Sequence, residues 1–130
     1  MSSIYLISPV RQATEADRVA MDEYVQGLEA KGHEVHLPHR DVDQSNDDGG
    51  LRIVKAHRLA MAQADEVHVW VKPDGTISEG EHFDLGMAYM MQLFADWPVR
   101  FRLCGNPLPK TEHKSFTNVL RDMAEKQPEE

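Results

Sequence analysis

The sequence predicts an α/β fold, a doubly wound parallel sheet of four or five strands with helices on both faces. Three observations carry this expectation. Short apolar runs at residues 4–7, 34–37 and 67–71 have the length and composition of buried strands. Segments with helical spacing of apolar residues separate them. The resulting order is β-α-β-α-β-α-β-α, with no internal repeat, so residues 1–130 are expected to form a single domain.

The first run, Ile4 to Ile7, is broken by Ser8 and Pro9. Thr14, with Asp17 three residues on, starts a helix whose apolar face includes Val19, Tyr24, Val25 and Leu28, and Lys31 and Gly32 end it. Pro38 stops the second strand. Residues 39–50 are polar and Asp-rich, which reads as a solvated loop or a ligand lid. A helix over 51–64 follows, with Ile53, Val54, Leu59, Ala60 and Met61 as its apolar positions. The third strand, 67–71, leads through a Lys72–Gly75 turn into a helix over about 79–94. Residues 99–103 alternate strictly, the pattern of a half-exposed strand near an edge. After a Pro-rich loop over 105–110, Ser115 caps a last helix with Phe116, Val119, Leu120 and Met123 on one face.

Composition narrows the function. A formal charge of −8 argues against a nucleic-acid backbone or an anionic membrane as the main partner. It leaves room for a small anionic ligand held by a few local groups. Cys104 is the single cysteine, which fits a reducing compartment, and its strand position reads as a small buried hydrophobe. The sequence shows neither a leader-like apolar segment nor a run of membrane-spanning length, so a cytoplasmic protein is expected.

The most informative stretch is 78–89. Ser78 with Glu81 three residues later forms a capping-box pattern, so a helix N-terminus, with its free N–H groups and positive dipole end, should face the carboxyl edge of the sheet. Asp84, one and a half turns in, is a candidate nucleophile or ligand-binding group there, where ligands sit in open α/β sheets. As an exposed helical residue it should be dispensable for folding. Ser8 to Arg11, after the first strand, bring a guanidinium and backbone N–H groups to the same edge, and an Arg fork suits phosphate. Ser8, Arg11, Ser78 and Gly80 are therefore the candidate phosphate-binding residues. No glycine-rich dinucleotide fingerprint or P-loop is present. His33, His36 and His39 alternate faces on a strand, so they fail as a metal cluster, and no metal or organic cofactor is expected.

Taken together, Tyr5 to Arg11, Ala64 to Val71, and Ser78 followed by Asp84, Gly86 and Ala88 resemble the nucleoside 2-deoxyribosyltransferase family. The resemblance is strongest to its 2′-deoxynucleoside 5′-phosphate N-hydrolase branch and runs over residues 4–92. It implies a flavodoxin-like fold and a site at the carboxyl edge. Asp84 stands where the family has the catalytic glutamate of its F/Y/M-E-L-G motif. Ser78 matches a serine that binds the 5′-phosphate, Arg11 an arginine near that phosphate, and Tyr5 a tyrosine beside the sugar. His57 falls where the family has an aspartate that assists the leaving base. Two departures stand out: Asp84 is one methylene shorter than glutamate, and His57 replaces an acid.

The function the resemblance implies is cleavage or transfer at the N-glycosidic bond of a nucleoside or its 5′-monophosphate, with Asp84, His57 and Tyr5 as catalytic residues. A non-catalytic nucleotide-binding or sensing protein on the same fold is the alternative. Family members build their site at a subunit interface, so a homodimer or higher homo-oligomer is expected, with Tyr89, Met90, Met91 and Phe94 either a contact patch for it or part of the intramolecular core.

Overall fold

Among the described residues, four parallel strands form the sheet: β1 (Ser3–Ile7), β2 (Glu34–His36), β3 (Glu66–Val71) and β4 (Arg100–Gly105), in the order β2-β1-β3-β4. In this computed structural model, residues 2–10, 13–42, 50–94, 99–106 and 116–125 are described. The side chains of residues 93, 94, 116, 117 and 125 fall outside that description, as do Arg11, residues 43–49 and the Ser115 cap. The strand order is that of a flavodoxin-like sheet, and its reversal point lies between β1 and β3.

The helices are α1 (Glu15–Ala30), α2 (Pro38–Asp41), α3 (Leu51–Ala62), α4 (Glu79–Phe94) and α5 (Phe116–Glu125). Thr14 caps α1 as expected: its hydroxyl accepts from the Asp17 N–H at 3.1 Å, and the Asp17 carboxylate accepts from the Thr14 N–H at 3.0 Å. Gly32, at φ +93°, turns the chain out of the helix. The single turn α2 was not expected. Pro38 starts it, and Asp41 accepts from the Leu37 N–H at 2.8 Å.

Alternation along the strands divides the core in two. Tyr5, Ile7, Val67, Val69 and Phe101 face Met61 of α3, Leu85 and Ala88 of α4, and Leu120 and Met123 of α5. Ile4, Leu6, Val35 and Trp70 face Met21 and Val25 of α1. Helices therefore cover both faces. β4 lies at the sheet edge among the described residues and is only partly buried, as its alternation indicated. Its last residue must be glycine: at Gly105 (φ +85°) a Cβ would sit 2.7 Å from the Val71 carbonyl oxygen.

Three apolar assignments need correction. Val19, Leu59 and Val119 are about half exposed, whereas Met61, Leu120 and Met123 are buried as expected and Met21, which was not assigned, fills the core under α1. The spacing rule fixes a stripe only to within a residue or so, and the rotation of each helix is decided by packing. Met91 packs against the core rather than forming part of an outer patch, whereas Tyr89, Met90 and Phe83 are exposed. Cys104 donates to the Val69 carbonyl oxygen at 3.4 Å, and burial pushes its thiol up to about 12, which makes it an inert packing residue.

Truncating Met61, which is fully buried, should cost about 2–5 kcal/mol of stability through lost burial and a cavity. Leu59→Ala, two residues away at 55% exposure, should cost under about 0.5 kcal/mol. Urea denaturation of Met61→Ala and Leu59→Ala distinguishes them; equal losses would show that the α3 rotation is wrong.

Candidate active site

The sheet-facing stripe of α4 consists of Glu81, Asp84, Leu85 and Ala88, at the i, i+3, i+4, i+7 spacing of a buried helix face. Its first two positions are acids. Asp84 is 4% exposed, which overturns the expectation of a solvated, dispensable residue. A carboxylate at such a depth is tolerated only with partners, and it has two among the described residues. The Tyr5 hydroxyl donates to Oδ2 at 3.1 Å, and His57 Nδ1 lies 3.3 Å from Oδ1. A carboxylate only accepts, so His57 carries its proton on Nδ1 in this pair. Its Nε2 is buried and has no partner among the described residues.

These three side chains come from β1, α3 and α4, and the sheet register explains why they meet. Tyr5 sits on the face of β1 toward α3 and α4, and parallel pairing sets His36 of β2 directly beside it. The His36 ring stacks on the Tyr5 phenol at 5.2 Å between centroids with 13° between planes. His57 approaches the same phenol edge-on at 6.2 Å. Tyr5 is completely buried, and burial, reinforced by the Asp84 carboxylate, holds its hydroxyl far above the ordinary phenol range. It is a fixed donor. His36 is driven the other way: burial lowers its pKa, aided by His57 nearby and opposed by Asp41. A neutral imidazole with an unpartnered Nε2 therefore borders the site. The sequence reading weighed His36 only as a metal ligand and missed this position. The signal was its place as the last residue of β2, in register with Tyr5.

The expected phosphate residues behave less uniformly. Ser8 is buried just after β1, and its hydroxyl has no partner among the described residues. Gly80 lies exposed on the first turn of α4, and a Cβ there would meet nothing within 4 Å, so no close approach within the chain requires glycine. Arg11 lies outside the described residues. Ser78 does form the expected capping box, but with its hydrogen-bonding capacity turned inward. Its hydroxyl and its N–H both donate to Glu81 Oε1 at 3.0 Å, and the hydroxyl accepts from the Glu81 N–H at 3.3 Å. Glu81 is fully buried, and its Oε2 has no partner among the described residues. Burial pushes its carboxyl up to about 8, opposed by the Ser78 bonds and by Lys72 and reinforced by Asp84. No group of three or more metal-ligating side chains occurs among the described residues, and no helix among them is long and apolar enough to cross a membrane.

A raised folded-state pKa means that the native state holds a proton the unfolded chain releases. The Glu81 contribution to stability is therefore complete below about pH 4.3, the ordinary glutamate value, and is lost as pH rises through about 8. Glu81→Gln should remove this slope. Melting temperatures between pH 5 and 9 check it: wild type should fall relative to Glu81→Gln across that interval, and parallel curves would contradict the burial of an acid at this position.

No protein-family model matches the sequence, and no curated protein is similar to it. Among solved structures, the chain is similar to a 2-deoxyribosyltransferase from Bacillus psychrosaccharolyticus, with a TM-score of 0.65 at 18% identity over 93% of this chain and 81% of that one. It is also similar to the CMP N-glycosidase BcmB of Clostridium botulinum, with a TM-score of 0.58 at 18% identity over 94% of this chain and 82% of that one. The fold of this chain is thus one found in proteins named for chemistry at the N-glycosidic bond.

Proposed function

We propose that the protein cleaves or transfers at the N-glycosidic bond of a nucleoside or its 5′-monophosphate, with Asp84 as nucleophile. The observation that supports this reading best is the Tyr5–Asp84–His57 arrangement: a buried carboxylate fixed through both oxygens, beside an imidazole nitrogen left unpartnered. The kinship of fold with a deoxyribosyltransferase and a CMP N-glycosidase agrees with it.

In this mechanism an Asp84 oxygen attacks C1′ as the bond to the base breaks, through an oxocarbenium-like state. The bonding pair leaves with the base nitrogen. His57, protonated, delivers its Nε2 proton to the departing base, while its Nδ1 stays against the Asp84 carboxylate. The product is a glycosyl ester on Asp84. In the second half, water or an acceptor base attacks C1′, the attacking group gives a proton to His57, and Asp84 is released. Tyr5 keeps the carboxylate in one orientation throughout and, being far from ionising, never competes for the proton. His36 stacks beneath Tyr5 and steadies it. Asp84 is shorter than glutamate, and its hydrogen bond to Tyr5 fixes the carboxylate relative to β1 rather than to the helix alone.

A homo-oligomer belongs to the same proposal. Phe83 (58% exposed), Tyr89 and Met90 form an outer apolar surface on α4, directly behind the site residues of that helix. A second copy of the chain is the proposed occupant.

Incubating the protein with a panel of deoxynucleosides and their 5′-monophosphates and following free base by chromatography tests the assignment. Asp84→Asn should abolish base release while leaving the fold intact, because the amide keeps the shape and an acceptor for Tyr5. Asp84→Ala should in addition lose about 1–3 kcal/mol of stability by stranding the Tyr5 hydroxyl. Full activity in Asp84→Asn would remove Asp84 from the chemistry, and tight binding without base release would favour a nucleotide sensor. His57→Ala should slow poor leaving bases far more than activated ones, since only the former need protonation; equal slowing of both would reduce His57 to a packing role.

A further inference from the structure

We infer that Tyr24 is a phosphoryl-acceptor site on the face of the sheet opposite Asp84, with His68 as its base, Glu66 as the anchor of that base and Arg102 as the cation that receives the phosphate. None of these side chains takes part in the N-glycosidic chemistry, and the inference is independent of that reading. On the α1 side of β3 and β4, where a buried strand face is ordinarily apolar, the chain carries Glu66, His68 and Arg102 beside Trp70 and Cys104.

The hydrogen bonds of this cluster run in one direction. Arg102 Nε donates to Glu66 Oε1 at 2.8 Å, and His68 Nε2 lies 3.4 Å from the same oxygen. Burial raises the Glu66 carboxyl, but its bonds to Arg102 and His68 outweigh that and hold it below its ordinary range. Glu66 is therefore ionised and only accepts, so Nε2 carries the His68 proton. Burial also lowers the His68 pKa, opposed by Glu66 and aided by Arg102 and His33, which leaves a neutral ring with a bare Nδ1. The Tyr24 hydroxyl, 2.6 Å from that nitrogen, is the donor. A hydroxyl, a base within hydrogen-bond reach and a third group orienting the base form the arrangement that activates a nucleophile. Burial and the neighbouring Cys104 raise the Tyr24 pKa, with Arg102 opposing, so the phenol keeps its proton until the imidazole removes it.

The surroundings favour a phosphoryl group. The apolar cover on this face comes from α1, whereas α5 packs on the other face. Arg102 accordingly reaches solvent, with 56% of its side chain exposed, and Tyr24 keeps part of its surface there too. Among the described residues the two outer nitrogens of the Arg102 fork have no partner, and such a fork suits phosphate oxygens. In the transfer, Tyr24 Oη attacks the phosphorus of an acyl phosphate. The bond from phosphorus to the acyl oxygen breaks, and the carboxylate leaves with the electron pair. The phenol proton passes to His68 Nδ1, which later returns it to water. The imidazolium and Arg102 then supply two cations beside a phosphate ester that carries up to two negative charges, whereas an acyl group would use neither.

The groups that face His68 are Tyr24 from α1, Glu66 on its own strand, Arg102 from β4 and His33 just before β2. Only the neutral ring accepts a proton, so the transfer should be level above neutrality and should fall in acid, below about pH 6.5.

Incubation with acetyl phosphate at pH 8, followed by mass spectrometry of the peptides, tests this. One phosphoryl group should appear on Tyr24, with Tyr5 and Tyr89 unmodified, and Tyr24→Phe should abolish it. His68→Phe should slow the modification on the order of a hundredfold, and Arg102→Gln about tenfold. Melting temperatures establish that each variant is folded. Absence of phosphate from Tyr24 in the wild type, or equal labelling of Tyr24 and Tyr89, overturns the inference, as does a folded His68→Phe that reacts at the wild-type rate. An acetyl group on Tyr24 in place of phosphate overturns the phosphoryl assignment. Should His68→Phe not fold, the wild type decides alone: a rate that is the same at pH 5 and pH 8 removes His68 as the base.

Discussion

A buried carboxylate is the constraint around which this molecule is arranged. Asp84 has almost no access to water, so its charge must be stabilised by fixed donors, and those donors come from two other elements. Tyr5 reaches it from β1 and His57 from α3. To satisfy one side chain, the central strand, the helix before β3 and the helix after it must hold a defined relation. The β2-β1-β3-β4 order makes that relation possible, because it sets β1 beside β3 and leaves α3 and α4 packed over the same face. The imidazoles on either side of the Tyr5 phenol complete a shell in which each ring limits the freedom of the next.

The two acids of α4 answer burial in different ways. Asp84 meets it with a hydroxyl and an imidazole N–H. Among the described residues Glu81 has only the donors of its own helix N-terminus, and its carboxyl is pushed up to about 8. The result is a pair of carboxyls one helical turn apart with separate chemical characters, one anchored for attack and the other exchanging its proton near neutrality.

Much of this was legible in the sequence, because it depends on local rules. Alternating strand and helix signals fixed the class and the element order, and the capping patterns at Thr14 and Ser78 located two helix starts, both present with their reciprocal bonds. Tyr5, His57 and Asp84 were singled out together by motif resemblance and do converge. What escaped were consequences of register and rotation. His36 gained its place from pairing with Tyr5 across the sheet, which no local pattern encodes. The depth of Asp84 depended on how α4 is rolled against β1. The inward turn of Ser78 required knowing that Glu81 is buried rather than solvated. The spacing 81, 84, 85, 88 did hold that information, but acids at two of the four positions disguised a core stripe as a polar one.

That stripe carries a conflict between durability and purpose. Positions 81 and 84 lie where a helix packed on a sheet ordinarily sets leucine or alanine, and well-packed apolar side chains there would relieve the desolvation of two carboxyl groups. A chain shaped by stability alone would have no reason to keep acids at both. Their presence marks this end of α4 as a region where replacing the acids together with their partners by packed apolar side chains, unlike truncating Asp84 alone, should yield hardier proteins that have lost whatever the acids do. The first turns of α4 are thus the place where thermal robustness and activity pull the same residues in opposite directions.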